Sequence, residues 1–291
     1  MAKYLFEKIF RHYFFYYICE KNKITMLEYI NVFKDTMSCC KDNEILSNAV
    51  AQSVKSQSVI LENDAIVLTE NQLRKYDKPA EIVVSSKRTF EAAKKYADNG
   101  KQVCALNFAN AFKPGGGVER GATAQEESLC RLSTLYPSIA TGKMMQEFYS
   151  PHRDKCSSLS NGDLIYTPGV KVFKTDTSHP QMMPNEQWYN VNVITCAAPD
   201  LRTTSISDQQ LEEIHQIRAK RIIETAIKFN NEVLILGAFG CGAFHNNPAV
   251  VANVYKNILQ KYTCAFKTVE FAVFAKYETD VNYSTFKKTL G

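Results

Sequence analysis

Three consecutive glycines, Gly115-Gly116-Gly117, are followed after seven residues by Gln125-Glu126-Glu127. A run of glycine lets the backbone take positive φ and bring bare amide N–H groups against a ligand, as proteins do around phosphates. Two adjacent carboxyls at the head of a helix supply acid–base chemistry. Such parts suit a reaction in which a diphosphate is held while an acid acts beside it. Successive helical residues point about 100° apart, so Glu126 and Glu127 cannot serve one point symmetrically. One is free to cap the helix or bind a hydroxyl while the other faces the reacting bond. Thr123 and Glu126 have capping-box spacing, which gives Glu126 a purely structural alternative.

A second glycine-rich stretch, Gly237 to Pro248, reads GAFGCGAFHNNP. It joins an unbroken apolar run, Glu232–Leu236, to a helix announced by Asn247 as N-cap and Pro248 at the first helical position. A helix N-terminus favours an anion. A tight turn with close helix–strand packing is the alternative for this loop alone. Two such loops at the carboxyl ends of strands in one α/β sheet lie where ligands of such sheets collect.

The elements that position these loops alternate. Glu81–Val84 reads as a strand, Thr89–Asn99 as a helix stopping at Gly100, and Gln102–Asn107 as a strand running into the triple glycine. Val191–Cys196 is another strand. The long helix after it begins at Ser207 with Gln210 as capping partner and keeps one stripe through Leu211, Ile214, Arg218, Ile222 and Ala226. A helix at Ala249–Lys261 and a strand at Val269–Ala275 complete the pattern. The expectation is an α/β fold, a mixed sheet flanked by helices on both faces. Residues 1–78 read mostly helical, so the chain divides into an N-terminal helical extension, 1–78, and a core, 79–291.

The 291 residues are 45% hydrophobic and 22% charged, enough apolar content for a real core. A net charge of +5 is compatible with an anionic ligand but too weak to argue for a nucleic-acid groove. The nine cysteines form no C-x-x-C pair and several sit in apolar runs, which points to a reducing compartment; an intracellular, cytoplasmic setting is expected, with the nucleus as the alternative. The histidines fall at no zinc-ligand spacing, so no metal and no cofactor are expected. Tyr4–Ile18 is rich in aromatics but too short and too charged to span a bilayer. It reads as a helix packed on the domain, with a membrane-surface or partner-binding helix as the alternative.

Both glycine loops resemble those of microbial-type poly(ADP-ribose) glycohydrolases. Their signature is Gly-Gly-Gly, six to eight residues, then Gln-Glu-Glu, and their second loop is similar to Gly237–Gly242 with Phe239 in an aromatic position. Leu164–Phe173 and Thr195–Asp200 look like the same family, with Ala197 where a proline is usual. The resemblance covers roughly Ile82 to Phe286. It implies a macrodomain fold with ADP-ribose in the cleft and Glu127 as general acid, helped by Glu126. It also implies ligand contacts at Asn110, Gly115, Gly116, Gly117, Val118, Gln125, Gly240, Cys241, Gly242, Ala243 and Phe244. Asn110 as a turn residue and Phe244 as core are the structural alternatives. Phe274 or Tyr277, near the end of the last strand, offers an aromatic face for adenine. The implied activity is hydrolysis of ribose–ribose O-glycosidic bonds in poly(ADP-ribose), by a monomer. A hydrolase of mono-ADP-ribosylated protein or nucleic acid and a non-catalytic ADP-ribose reader are the competing functions. Pure recognition needs the glycines but no acid.

Overall fold

The computed structural model describes residues 25–291; the segment Tyr4–Ile18 lies outside the described residues. Helix α1 covers residues 25–42, and α2 (Glu44–Ser56) follows with the Asn43 side chain accepting from the amides of Ile45 and Leu46. Next come β1 (Ser58–Ile60), α3 (Glu70–Leu73), β2 (Glu81–Ser85), α4 (Thr89–Ala97) and β3 (Val103–Phe108). The helices α5 (Gln125–Leu132), α6 (Leu135–Ile139), α7 (Gly142–Met144) and α8 (Ser150–Lys155) lead to β4 (Leu164–Val172) and β5 (Tyr189–Cys196). The chain ends with α9 (Asp208–Lys228), β6 (Val233–Leu236), α10 (Pro248–Leu259), β7 (Thr268–Ala272) and α11 (Val281–Leu290). The capping box of Ser207 with Gln210 and the Asn247–Pro248 start of α10 both form.

The strands make one sheet in the order β1-β4-β5-β3-β6-β7-β2. Strands β2, β7, β6, β3 and β5 run parallel, and β4 is antiparallel to both of its neighbours. The sheet is therefore mixed, and its two faces carry separate cores. Cys104 and Leu106 of β3 pack with Ile222 of α9, Tyr255 of α10 and Phe286 of α11. Val103 and Ala105, one residue out of step, pack with Phe33 of α1, Phe90 of α4 and Leu129 of α5. The period of two turns one apolar strand into two cores.

Two strands escape a reading based on alternation. Strand β4 contains Pro168-Gly169, which resembles a turn in the sequence. It is accommodated by a register shift between Thr167 and Val170, with Gly169 at φ +67°. Strand β1 is only three residues long and precedes residue 79, yet it pairs with β4 in the same sheet. Helix α2 covers β4, with Ser53 Oγ donating to Pro168 O at 2.7 Å. Helix α1 packs on the back of α5. The Tyr29 ring lies 4.6 Å from the Arg131 guanidinium, Thr36 Oγ1 is 2.5 Å from Arg131 O, and Phe33 meets Tyr136 edge-on at 4.9 Å. Among the described residues no helix is long and apolar enough to cross a membrane.

Candidate active site

A cavity of 830 Å³ opens at the carboxyl ends of β3, β6 and β7, where the two glycine loops meet. The start of α5 is fixed there by Gln125. Its Oε1 accepts from Phe108 N at 2.9 Å, and its Nε2 donates to Leu106 O at 2.7 Å and to Thr89 Oγ1 at 3.1 Å. Gln125 thus extends the hydrogen bonding of β3 past its last strand neighbour and ties α5 to α4. Its side chain lines the cavity while its amide is committed to the scaffold.

The alternative of a capping box between Thr123 and Glu126 does not form: the N-cap of α5 is Ala124, with no side-chain cap bond. Glu126 turns inward instead. It is 3% exposed, and its Oε1 accepts from Asn107 Nδ2 at 3.2 Å and Gly115 N at 3.3 Å. Oε2 accepts from Asn110 N at 2.8 Å, so the carboxyl knits the strand end to the glycine loop. Burial pushes the Glu126 carboxyl up to about 8; the Asn110 and Asn107 donors pull against that, and Glu127 pushes the same way as burial. Glu127 is 8% exposed and accepts from Gly117 N at 2.8 Å through Oε1. Asn110 Oδ1 accepts from the amides of Phe112 and Lys113, so its oxygen holds the turn and its NH₂ is left for a ligand.

The triple glycine therefore works differently from the expected phosphate cradle. Gly115 N and Gly117 N donate to the carboxyl groups of Glu126 and Glu127, and Gly116 N donates to Lys113 O at 3.1 Å. All three amides are spent within the protein. Gly115 and Gly116 adopt φ +66° and +54°, and the loop approaches the acids so closely that a Cβ on Gly116 would lie 2.6 Å from Glu127 Oε1.

The second loop carries the open donors. Among the described residues the amides of Gly240, Gly242, Ala243 and Phe244 donate to no protein acceptor, and all four residues line the cavity. Four unpaired N–H groups on one turn form an anion-binding concavity. The turn is held by Asn246. Its Nδ2 donates to Pro199 O at 2.8 Å and Phe244 O at 3.1 Å, and its Oδ1 lies 2.7 Å from His215 Nε2. Since that oxygen can only accept, His215 carries its proton on Nε2. Burial lowers the His215 imidazole to about 4, with the Asn246 bond opposing. Gly240 has no room for a side chain: a Cβ there would meet Asn246 Oδ1 at 2.6 Å.

Cations ring the opening: Lys87, Arg88, Lys113, Arg120 and Arg202. Arg88 stacks on the Phe274 ring at 4.0 Å, and Arg202 sits 5.3 Å from the Phe244 ring while paired with Asp200 at 2.5 Å. Of the positions expected to touch ligand, Asn110, Gly116, Gly117, Gln125, Gly240, Gly242, Ala243, Phe244 and Phe274 line the cavity. Gly115, Val118 and Cys241 do not. Val118 is fully buried in the core beside α5, and the Cys241 side chain packs in the core beside α9 and α10. Among the described residues no group of three His, Cys, Asp or Glu side chains could hold a metal ion.

Comparison with known proteins agrees with this arrangement. The family model described as microbial-type PARG, catalytic domain, matches residues 28–175, a span that includes both acids and the triple glycine. The chain belongs to the microbial-type PARG family. The structure resembles that of poly(ADP-ribose) glycohydrolase (PARG) from Thermomonospora curvata. That match has a TM-score of 0.80 and 28% identity over 90% of this chain and 99% of that one. The same enzyme bound to the inhibitor ADP-HPD aligns with a TM-score of 0.78 and 28% identity over 89% and 98% of the two chains. Deinococcus radiodurans PARG in complex with ADP-ribose is 31% identical over 82% of this chain and 96% of that one, with a TM-score of 0.72. A search of curated protein sequences finds no match. The protein is a glycoside hydrolase that acts on poly(ADP-ribose).

Several residues of this PARG site carry no signal in the sequence. Asp176 accepts from Phe90 N at 2.9 Å at the start of α4 and lines the cavity, and Arg88 reaches it from the same helix start. Neither sits near a glycine motif. Asn107 and Asn246 were within reach, since both lie inside the motifs that mark the loops.

Proposed function

We propose that Glu127 is the general acid and base of this PARG, acting on the C1″–O bond between two ADP-ribose units. The observation that carries the reading is the opposition, across one cavity, of a carboxylate pinned by Gly117 N–H and a turn with four open amides. The amides of Gly240, Gly242, Ala243 and Phe244 hold the diphosphate of the terminal unit. The ring of cations draws the polyanionic chain in. Phe274, with Arg88 on one face, offers the other face to adenine, and Phe244 packs beside the distal ribose. Asn110 NH₂ and the remaining lone pair of Glu126 Oε2 meet ribose hydroxyls.

The bond breaks through an oxocarbenium-like state. Glu127 gives its proton to the leaving ribose oxygen, then takes one from the water that adds to C1″. Glu126, tied by three N–H donors, fixes the loop geometry that aims Glu127 and needs no proton transfer of its own. The relatives' complexes with ADP-ribose and with ADP-HPD support this occupancy. We further assign residues 79–291 to the catalytic core, whose sheet is completed by β1 from before residue 79, and place the enzyme in the cytoplasm as a monomer acting on polymer attached to protein.

Glu127→Gln keeps the shape and removes the acid. Release of ADP-ribose from automodified polymer should fall by about 10² to 10⁴, with ADP-ribose affinity retained in calorimetry. Near-normal release by the variant would remove the assignment. Parallel assays on Glu/Asp-linked and Ser-linked mono-ADP-ribose should show the protein-attached unit left in place.

A further inference from the structure

We infer that Arg120 binds the diphosphate of the leaving ADP-ribose unit, making the enzyme selective for polymer over single ADP-ribose groups on protein. The inference rests on the placement of Glu127 at the scissile bond. Arg120 ends the short helical turn Val118–Arg120, whose geometry is fixed by Arg120 N donating to Gly117 O at 2.9 Å and by Gly121 at φ +76°. The residue is exposed and lines the cavity. A Cβ built on Gly117 would lie 3.5 Å from Glu127 Oε1 and 3.9 Å from Arg120 Nη2, so acid and guanidinium flank one point of the loop.

The acids around Arg120 have other partners. Glu119 takes Lys113 Nζ at 2.5 Å and Tyr136 OH at 3.4 Å, and Glu127 takes Gly117 N–H. Among the described residues the Arg120 guanidinium has no ion pair and no side-chain hydrogen bond, so its donors are open to solvent and to an incoming anion. The terminal unit's diphosphate has its own donors in the second loop. What emerges on the Glu127 side is the leaving group. In polymer this is another ADP-ribose, whose diphosphate lies a few bonds from the oxygen that Glu127 protonates. In a mono-ADP-ribosylated protein it is an amino-acid side chain with no phosphate. A planar guanidinium with a fork of donors recognises a phosphate in two-point fashion, so Arg120 adds binding only when the leaving group is a further unit.

The test uses the full chain with a two-unit ADP-ribose oligomer as substrate, and ADP-ribose itself as ligand. Arg120→Gln should raise KM for the oligomer about tenfold, as loss of a charge-assisted contact does, with kcat nearly unchanged and ADP-ribose affinity in calorimetry retained. Arg120→Lys should recover part of the loss. An unchanged KM in Arg120→Gln overturns the inference. So does an equal loss of ADP-ribose affinity, which would put Arg120 on the terminal unit. Glu127→Gln run alongside separates the two ideas: if it stays active, the placement of the scissile bond is wrong, whereas an inactive Glu127→Gln with an unaltered Arg120→Gln condemns Arg120 alone.

Discussion

Replacing Gly116 with alanine tests whether the triple glycine exists to admit the two acids. The new Cβ would sit 2.6 Å from Glu127 Oε1 and 3.2 Å from Glu126 Oε2, at a backbone φ of +54°. The left-handed conformation costs a non-glycine residue about 1–2 kcal/mol. For a chain of this size that lowers Tm by roughly 2–8 °C. The clash itself is with the far end of the Glu127 side chain, which can swing away at little cost to folding. Swinging away breaks the 2.8 Å bond from Gly117 N and moves the acid from its aim. A displacement of about 1 Å at a reacting group is worth about 10² in rate. Gly116→Ala should therefore melt only slightly early yet lose about 100-fold in kcat for ADP-ribose release from polymer. Gly242→Ala is the counterpart, because its Cβ would meet nothing within 4 Å and its φ is not strained. It should keep its melting temperature and kcat but weaken ADP-ribose binding, since the methyl enters beside the open amides. If Gly116→Ala turns over polymer within a few-fold of wild type, the argument that this glycine makes room for the acid is refuted.

Glu126→Gln keeps one acceptor oxygen but sets its NH₂ against at least one buried donor, Asn110 N–H when the amide oxygen takes the Oε1 place, and should destabilise the fold by about 1–3 kcal/mol, read by chemical denaturation. Because burial raises the Glu126 carboxyl to about 8, the folded chain holds a proton that the unfolded chain releases near 4.5. That contribution to stability is full below pH 4.5 and is lost as pH rises through 8, and the slope should vanish in Glu126→Gln. His215, lowered to about 4 from 6.5, works in the opposite direction. Its contribution is present above pH 6.5 and lost as pH falls through 4, and His215→Phe should flatten that acid limb in a pH series of melts. Phe274→Ala removes the stacking surface beneath Arg88 and should weaken ADP-ribose binding by about 1–3 kcal/mol, the worth of one base on an aromatic ring. Equal affinity in calorimetry would move adenine elsewhere.

The parts of this enzyme that announce themselves in the sequence are those whose composition is forced by geometry. Gly115-Gly116-Gly117 and Gly240 stand where positive φ or a close approach forbids a side chain, and Gln125-Glu126-Glu127 must begin a helix at that approach. The strands β3 and β6 read as apolar runs because both of their faces are buried. What the sequence withholds is direction. Nothing in it distinguishes amides that face a ligand from amides that face Glu126 and Glu127, so the two glycine loops look interchangeable until the hydrogen bonds are traced. Val118 and Cys241 sit inside motifs but point into the core, because alternate residues of a tight loop cannot all face one cavity. Strand β4 hides behind Pro168-Gly169, a turn signal that a bulge absorbs. Asp176 and Arg88 reach the site only through tertiary packing, which no local pattern encodes.

Two of the glycine amides and the amide of Asn110 are bonded to carboxyl oxygens instead of carbonyls. An amide proton in such a bond shifts its resonance when its acceptor gains or loses charge. Gly117 therefore reports most directly on Glu127, and Gly115 and Asn110 most directly on Glu126. A nitrogen-15 spectrum recorded across a range of pH would follow the coupled pair of carboxyls through different amides, in the resting enzyme and again with product bound. Glycine nitrogens resonate apart from those of most other residues, so selective labelling of a single amino acid isolates the signals. The backbone that positions the acids also supplies their spectroscopic probe.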